Sequence, residues 1–161
     1  MPDEHEWGWR RWRVALIAHD AKKPDLLAFV RRHRKQFADW SLIGTEATGA
    51  TLRQELGLKV RSVLPAPRGG DLQIGAEIAS GEIDALIFLR DPLTAQAHEP
   101  DITALLRVAD AQSVAVATNL ATAGCLVRGL GPEGSNVTPP SHDGNQPVTR
   151  LGETGQKGGS R

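Results

Sequence analysis

Between residues 13 and 128 short apolar runs alternate with amphipathic segments, and nothing else in the chain restricts its fold as tightly. Runs of four to six β-branched and aliphatic residues read as buried strands, and apolar residues recurring every three or four positions read as helix faces. Arg13 to Ala18 (RVALIA) is the first predicted strand. It is followed by His19-Asp20 and by a helix in which Pro24 occupies the first turn, Leu26, Leu27 and Val30 recur, and the end falls near His33. Ser41 to Gly44 is a second strand, and the helix after it runs through Leu52 and Leu56 to a stop at Gly57. Val60 to Leu64 is a third strand, Asp71 caps a helix reaching Ser80-Gly81, and Ala85 to Leu89 is a fourth strand. Asp101 to Ala111 then forms a helix, Val114 to Ala117 a fifth strand and Leu120 to Val127 a last helix. Right-handed crossovers turn this order into an α/β fold: an open, mostly parallel five-stranded sheet with helices on both faces, Rossmann-like.

The ends of the chain do not share this pattern. Residues 131–161 hold seven glycines and four prolines, with only Val137, Val148 and Leu151 as sizeable aliphatics, so burial there cannot offset the entropy of ordering. A disordered tail is expected, leaving 13–130 as one α/β domain. Residues 1–12 form an arm, and in its second half Trp7, Trp9 and Trp12 interleave with Arg10, Arg11 and, just beyond it, Arg13. Such an arm can pack on the domain or a neighbouring subunit, or stack on single-stranded nucleic acid. The first reading is preferred, because nineteen basic and nineteen acidic side chains cancel and leave no global field to attract polyanions or anionic membranes. The arm has no apolar core like that of a secretion signal, and no run approaches membrane-spanning length. One cysteine, Cys125, excludes an internal disulfide and reads as a buried thiol in an apolar helix. A cytoplasmic protein is expected.

Ligands of open α/β sheets bind beyond the carboxyl ends of the strands, and the residues there are polar. His19, Asp20, Lys22 and Lys23 follow the first strand; Thr45, Thr48 and Gly49 the second; Gly69, Gly70 and Asp71 the third. Asp91, His98 and Asp101 follow the fourth, and Thr118 and Asn119 the fifth. A lysine, threonine hydroxyls and free amides at a helix start can cradle a phosphate. The carboxylates and two histidines remain for proton transfer. Taken singly, Asp71 after two glycines also reads as an N-cap, Asp101 as a helix-dipole acid, His98 as a surface histidine, and Thr45 and Thr48 as caps.

Six segments in order go further. ALIAHD with Lys23 beyond it, T-x-x-T-G at 45–49, GGDLQIGA at 69–76, DALIFLRDPL at 84–93, HEPD at 98–101 and VATNLATA at 116–123 together resemble the methylglyoxal synthase family over roughly residues 13–127. The resemblance implies that dihydroxyacetone phosphate is converted to methylglyoxal and inorganic phosphate, with no metal or organic cofactor, in a homohexamer. It implies Asp71 as general base, His98 as a hydrogen-bonding proton relay, Asp101 as its partner and His19 as a substrate contact. Lys23, Thr45, Thr48, Pro65, Ala66 and Gly70 would bind substrate and phosphate, with Asp20 and Asp91 supporting them. Inorganic phosphate would be product and inhibitor. The same fold also serves as a regulatory domain, so a noncatalytic sensor of a phosphorylated ligand is the alternative. Two departures fall on the phosphate side: Glu46-Ala47 where the family reads Gly-Thr, and Pro65-Ala66 where it reads Ser-Gly. Arg68 is a candidate for compensating charge.

Overall fold

The computed structural model describes residues 11–130, in which five strands and six α-helices alternate. The strands are β1 (Arg13–Ala18), β2 (Ser41–Thr45), β3 (Val60–Val63), β4 (Ala85–Leu89) and β5 (Ala115–Ala117). The helices are α1 (Lys23–Arg32), α2 (Arg34–Asp39), α3 (Glu46–Leu56), α4 (Gly70–Ala79), α5 (Glu99–Ala111) and α6 (Leu120–Gly129). All strand pairings are parallel and the order across the sheet is β3-β2-β1-β4-β5. The order reverses between β1 and β4, and the loops after these two strands diverge there and open a crevice.

The central strands are apolar on both sides because both faces are covered. Val14, Leu16 and Ala18 of β1 join Ala85, Ile87 and Leu89 of β4 in one core with residues from α1, α2, α3 and α6. Ala15 and Ile17 join Leu86 and Phe88 in a second core with Ile74 and Ile78 of α4 and Ile102 and Leu105 of α5. The two-residue period of each strand therefore sorts its side chains between two helical layers.

Several readings need correction. The segment after His33 forms α2, whose one buried residue is Phe37; six residues with a single apolar anchor leave almost no periodic signal. Asp71 does not cap α4, since Gly69 holds that position with φ 106°, a left-handed backbone that favours glycine, and Asp71 lies inside the first turn. Asp101 likewise lies inside α5, which begins at Glu99 with His98 at the N-cap position. Thr45 is at the N-cap position of α3 but makes no side-chain cap. Cys125 is exposed rather than buried, because Ala123 and Val127 carry the inward stripe of α6 and the cysteine falls between them. Trp12 is partly buried against the first core, whereas residues 1–10, with the rest of the arm, and the 131–161 tail lie outside the described residues.

Candidate active site

A cleft of about 480 Å³ opens at the carboxyl ends of β1, β2 and β4. Ile17 and Ala18 line it, with His19, Asp20 and Lys23 beyond β1 and Thr45 and Ala47 at the start of α3. Ala66 and Pro67 follow β3, and the β4–α5 loop adds Asp91, Thr94, Ala95, Gln96 and His98. Four separate segments of the sequence converge here, as parallel topology requires. Thr94, Ala95 and Gln96 are not among the residues that the sequence motifs single out, although their position after a central strand is signal enough.

The glycine pair places Asp71. Gly69 turns the chain with its positive φ, and a Cβ on Gly70 would lie 2.0 Å from the Leu64 carbonyl oxygen, so only glycine permits the β3–α4 loop to fold back on the helix start. Gly70 N–H donates to the Pro65 carbonyl at 3.1 Å, and Leu64 N–H to the Gln73 side chain at 2.8 Å. Asp71 is thereby carried to full burial (0 % exposed), and neither of its oxygens accepts a hydrogen bond among the described residues. Burial pushes its carboxyl up to about 6, against the pull of His98 and with the help of Asp101. A carboxylate in this state is undersolvated and correspondingly basic.

His98 stands closest to it, with Nε2 3.7 Å from Asp71 Oδ2 and no hydrogen-bond partner of its own. That gap is wider than a hydrogen bond, and such contacts in sites without ligand commonly tighten on binding. His19 meets His98 edge to face, with ring centroids 6.0 Å apart. The Asp91 backbone N–H donates to His19 Nδ1 at 2.9 Å, which makes Nδ1 an acceptor and assigns the proton of the neutral ring to Nε2. That Nε2 is buried and unpartnered. Burial, then His98 and Arg90, hold the His19 pKa below its usual value, opposed by Asp91 and Glu99. His19 is thus a neutral ring offering an unused donor N–H.

At the β2–α3 junction Thr45 lines the cleft and Thr48 lies behind it, both buried, with their hydroxyl oxygens 3.3 Å apart, and Ala18 N–H donates to Thr48 Oγ1 at 3.4 Å. Lys23 reaches the cleft and pairs with Asp20, whose carboxyl is held low first by that hydrogen bond. Thr48, Pro65, Gly70, Asp71 and Asp101 do not line the cleft itself: Thr48, Gly70 and Asp71 are buried, and Pro65 holds Gly70 through its carbonyl. Asp91 supports the site through its main-chain N–H, while its side chain accepts from Leu93 N–H within its own loop. Ala47 lines the cleft where a hydroxyl is missing; Glu46 and Arg68 are exposed and absent from its walls, so the expected compensating charge from Arg68 is not placed there. No group of three or more metal-ligating side chains occurs among the described residues.

The arrangement offers a dry base, a second basic ring beside it, a neutral N–H donor, and across the cleft a lysine with two threonines. Comparison with known proteins fits this inventory. The family model described as MGS-like domain matches residues 25–118. The chain is 52% identical over 122 residues to the methylglyoxal synthase of Ralstonia nicotianae, covering 76% of this chain and 90% of that one. It is 57% identical over 118 residues to the methylglyoxal synthase of Carboxydothermus hydrogenoformans, covering 73% and 98%. The crystal structure of methylglyoxal synthase from Elizabethkingia anophelis superposes with a TM-score of 0.71 at 35% identity, covering 86% of this chain and 94% of that chain.

Proposed function

The chain belongs to the methylglyoxal synthase-like family, and from that premise we propose that it is a carbon–oxygen lyase that converts dihydroxyacetone phosphate to methylglyoxal and inorganic phosphate. The observation that carries the reading is Asp71: fully buried, without a hydrogen bond among the described residues, and raised to about 6 beside His98. The substrate's hydroxymethyl carbon is a weak acid, and a carboxylate removes its proton only where water is excluded and the developing oxyanion is met by donors. Asp71 takes that proton. The electron pair forms an ene-diolate whose carbonyl-derived oxygen is met by His19 Nε2–H, while His98 handles the proton of the neighbouring hydroxyl.

Collapse of the ene-diolate forms an aldehyde at the former hydroxymethyl carbon and breaks the C–O bond to phosphate. The enol left behind gains a proton at its terminal methylene and becomes methylglyoxal, so the reaction balances without oxidant or reductant. Phosphate departs only when its C–O bond stands out of the ene-diolate plane, and Lys23, Thr45, Thr48 and the Ala66 segment are the groups that set this torsion. Asp101 supports the Asp71–His98 pair, Gly70 and Pro65 hold the turn, and Asp20 and Asp91 position Lys23 and His19. The working unit is the 13–130 domain. No helix among the described residues is long and apolar enough to cross a membrane, and the resemblance adds a cytoplasmic homohexamer inhibited by its phosphate product.

The test is direct. Purified protein supplied with dihydroxyacetone phosphate releases methylglyoxal and phosphate in equal amounts; binding of the triose phosphate without either product would replace the lyase reading with that of a sensor.

A further inference from the structure

The loop from 91 to 98 carries both histidine contacts of the site, at its two ends. Its own hydrogen bonds are local: Asp91 accepts from Leu93 N–H, Gln96 donates to the Thr94 carbonyl, and Leu93 is 94% exposed. Yet its first residue must keep Asp91 N–H on His19 Nδ1, and its last must keep His98 3.7 Å from Asp71. Arg90 and Glu99 flank this loop on either side. Arg90 Nη2 donates to Glu99 Oε1 at 2.9 Å, joining the end of β4 to the first residue of α5. Arg90 is 34% and Glu99 48% exposed, so the pair is accessible to salt without being free in solvent.

We propose that the Arg90–Glu99 ion pair is a positioning clasp for the reaction: by closing the loop at its base it sets both the His98–Asp71 separation and the Asp91-to-His19 hydrogen bond. Neither residue touches the reacting atoms. An exposed pair usually contributes little, because two long side chains must be held for a modest attraction. Here the distance it fixes is what matters, since a misplacement of about 1 Å in a proton-transfer site costs up to about a hundredfold in rate. The titratable and charged groups that act on His19 are His98, Arg90, Asp91 and Glu99, with Asp20 close enough to be affected by it in turn. Two of these four are the clasp itself, so opening it changes the field on His19 as well as its hydrogen bond.

The inference rests on the lyase reading, and two measurements separate them. In full-length protein, Arg90→Ala and Glu99→Ala each lower kcat about tenfold with KM changed less than about twofold, and the double variant is no worse than either single one. Salt of about 1 M lowers wild-type kcat toward the variants and leaves the double variant unchanged. Glu99→Gln, which retains an acceptor for Arg90, falls between. Additive losses, or full activity in either alanine variant, overturn the clasp. Imidazole nitrogen NMR reads the same device without turnover: His19 is the Nε2–H tautomer in wild type and a tautomer mixture in Arg90→Ala. A His19 signal unchanged in that variant would refute the clasp even if the protein made no methylglyoxal, and a mixture would uphold it.

Discussion

Replacing Asp71 with asparagine should remove activity and strengthen the fold, and the two effects have one cause. The carboxyl is 0 % exposed, unpaired among the described residues, and raised from 3.8 to about 6. A rise of about two units is worth about 3 kcal/mol between the two protonation states. The folded-state value lies above the unfolded one, so the fold prefers the neutral acid. Stability is complete below about pH 4, falls as pH rises through about 6, and then stays about 3 kcal/mol lower. The amide of the variant cannot ionise, and this decline should disappear with the carboxyl.

Urea unfolding at fixed protein concentration, which removes any mass-action contribution from subunit association, is the assay. The stability gain of Asp71→Asn over wild type should be larger near pH 8 than near pH 4.5 by about 2 kcal/mol, because the penalty accumulates between the unfolded and folded values and pH 4.5 lies near the start of that window. Taking the difference cancels any fixed cost of burying the amide. In the same preparation, turnover should fall by at least about a thousandfold, while wild-type kcat/KM rises with pH to a plateau above about 6 as the base loses its proton. A variant with the wild-type pH dependence of stability, or with near-normal turnover, would refute the reasoning that a strained, dry carboxylate is the base.

Two other variants probe the surroundings of the site. Gly70→Ala forces a Cβ to within 2.0 Å of the Leu64 carbonyl oxygen, a backbone clash that should cost about 3 kcal/mol of stability and displace Asp71; an unchanged urea midpoint would show that the loop yields freely. Ala47→Thr combined with Glu46→Gln restores a hydroxyl on the cleft wall and removes a negative charge beside it. A charge-assisted hydrogen bond of about 1.5–3 kcal/mol should then lower KM for the triose phosphate about tenfold or more at nearly constant kcat. Steady-state kinetics with an unaltered KM would mean that this loop does not set phosphate affinity.

Reading from sequence succeeded where the physics is local and periodic. The five apolar runs became five strands because alternation and β-branching are properties of adjacent residues, and the reversal of strand order brought His19 and His98 to one crevice as parallel topology demands. It failed where one anchor or one face decides. Phe37 alone holds α2, and Cys125 missed burial by falling off the stripe defined by Ala123 and Val127. It was also blind to main-chain roles. Asp91 reads as an acid beside the site, and its charge does act on His19, but its main-chain N–H, which donates to His19 Nδ1, is a group every residue but proline possesses and no motif marks it. Full burial of Asp71 was equally hidden, since G-G-D as letters describes a cap as well as a base.

Two buried aspartates show how partners decide the state of a buried charge. Asp84, at the amino ends of the strands, has a side chain with 0% exposure like Asp71, but it accepts from Arg13 N–H at 2.8 Å and from the Arg13 guanidinium at 3.2 and 3.1 Å. Its charge is met, and it ties β1 to the turn before β4. Asp71, at the carboxyl ends, accepts no hydrogen bond among the described residues and has a histidine at 3.7 Å. Asp71 lies in the first turn of α4 and Asp84 immediately before β4, less than fifteen positions apart in sequence. The difference is made by partners: one end of the sheet satisfies its buried charge and gains rigidity, while the other withholds hydrogen bonds that the substrate's own groups can supply. A carboxylate left in that condition destabilises the empty protein by an amount the two apolar cores must offset, a penalty relieved by any proton it takes up. Basicity at Asp71 and rigidity at Asp84 are therefore two outcomes of one rule, that burying a charge is costly until something pairs with it.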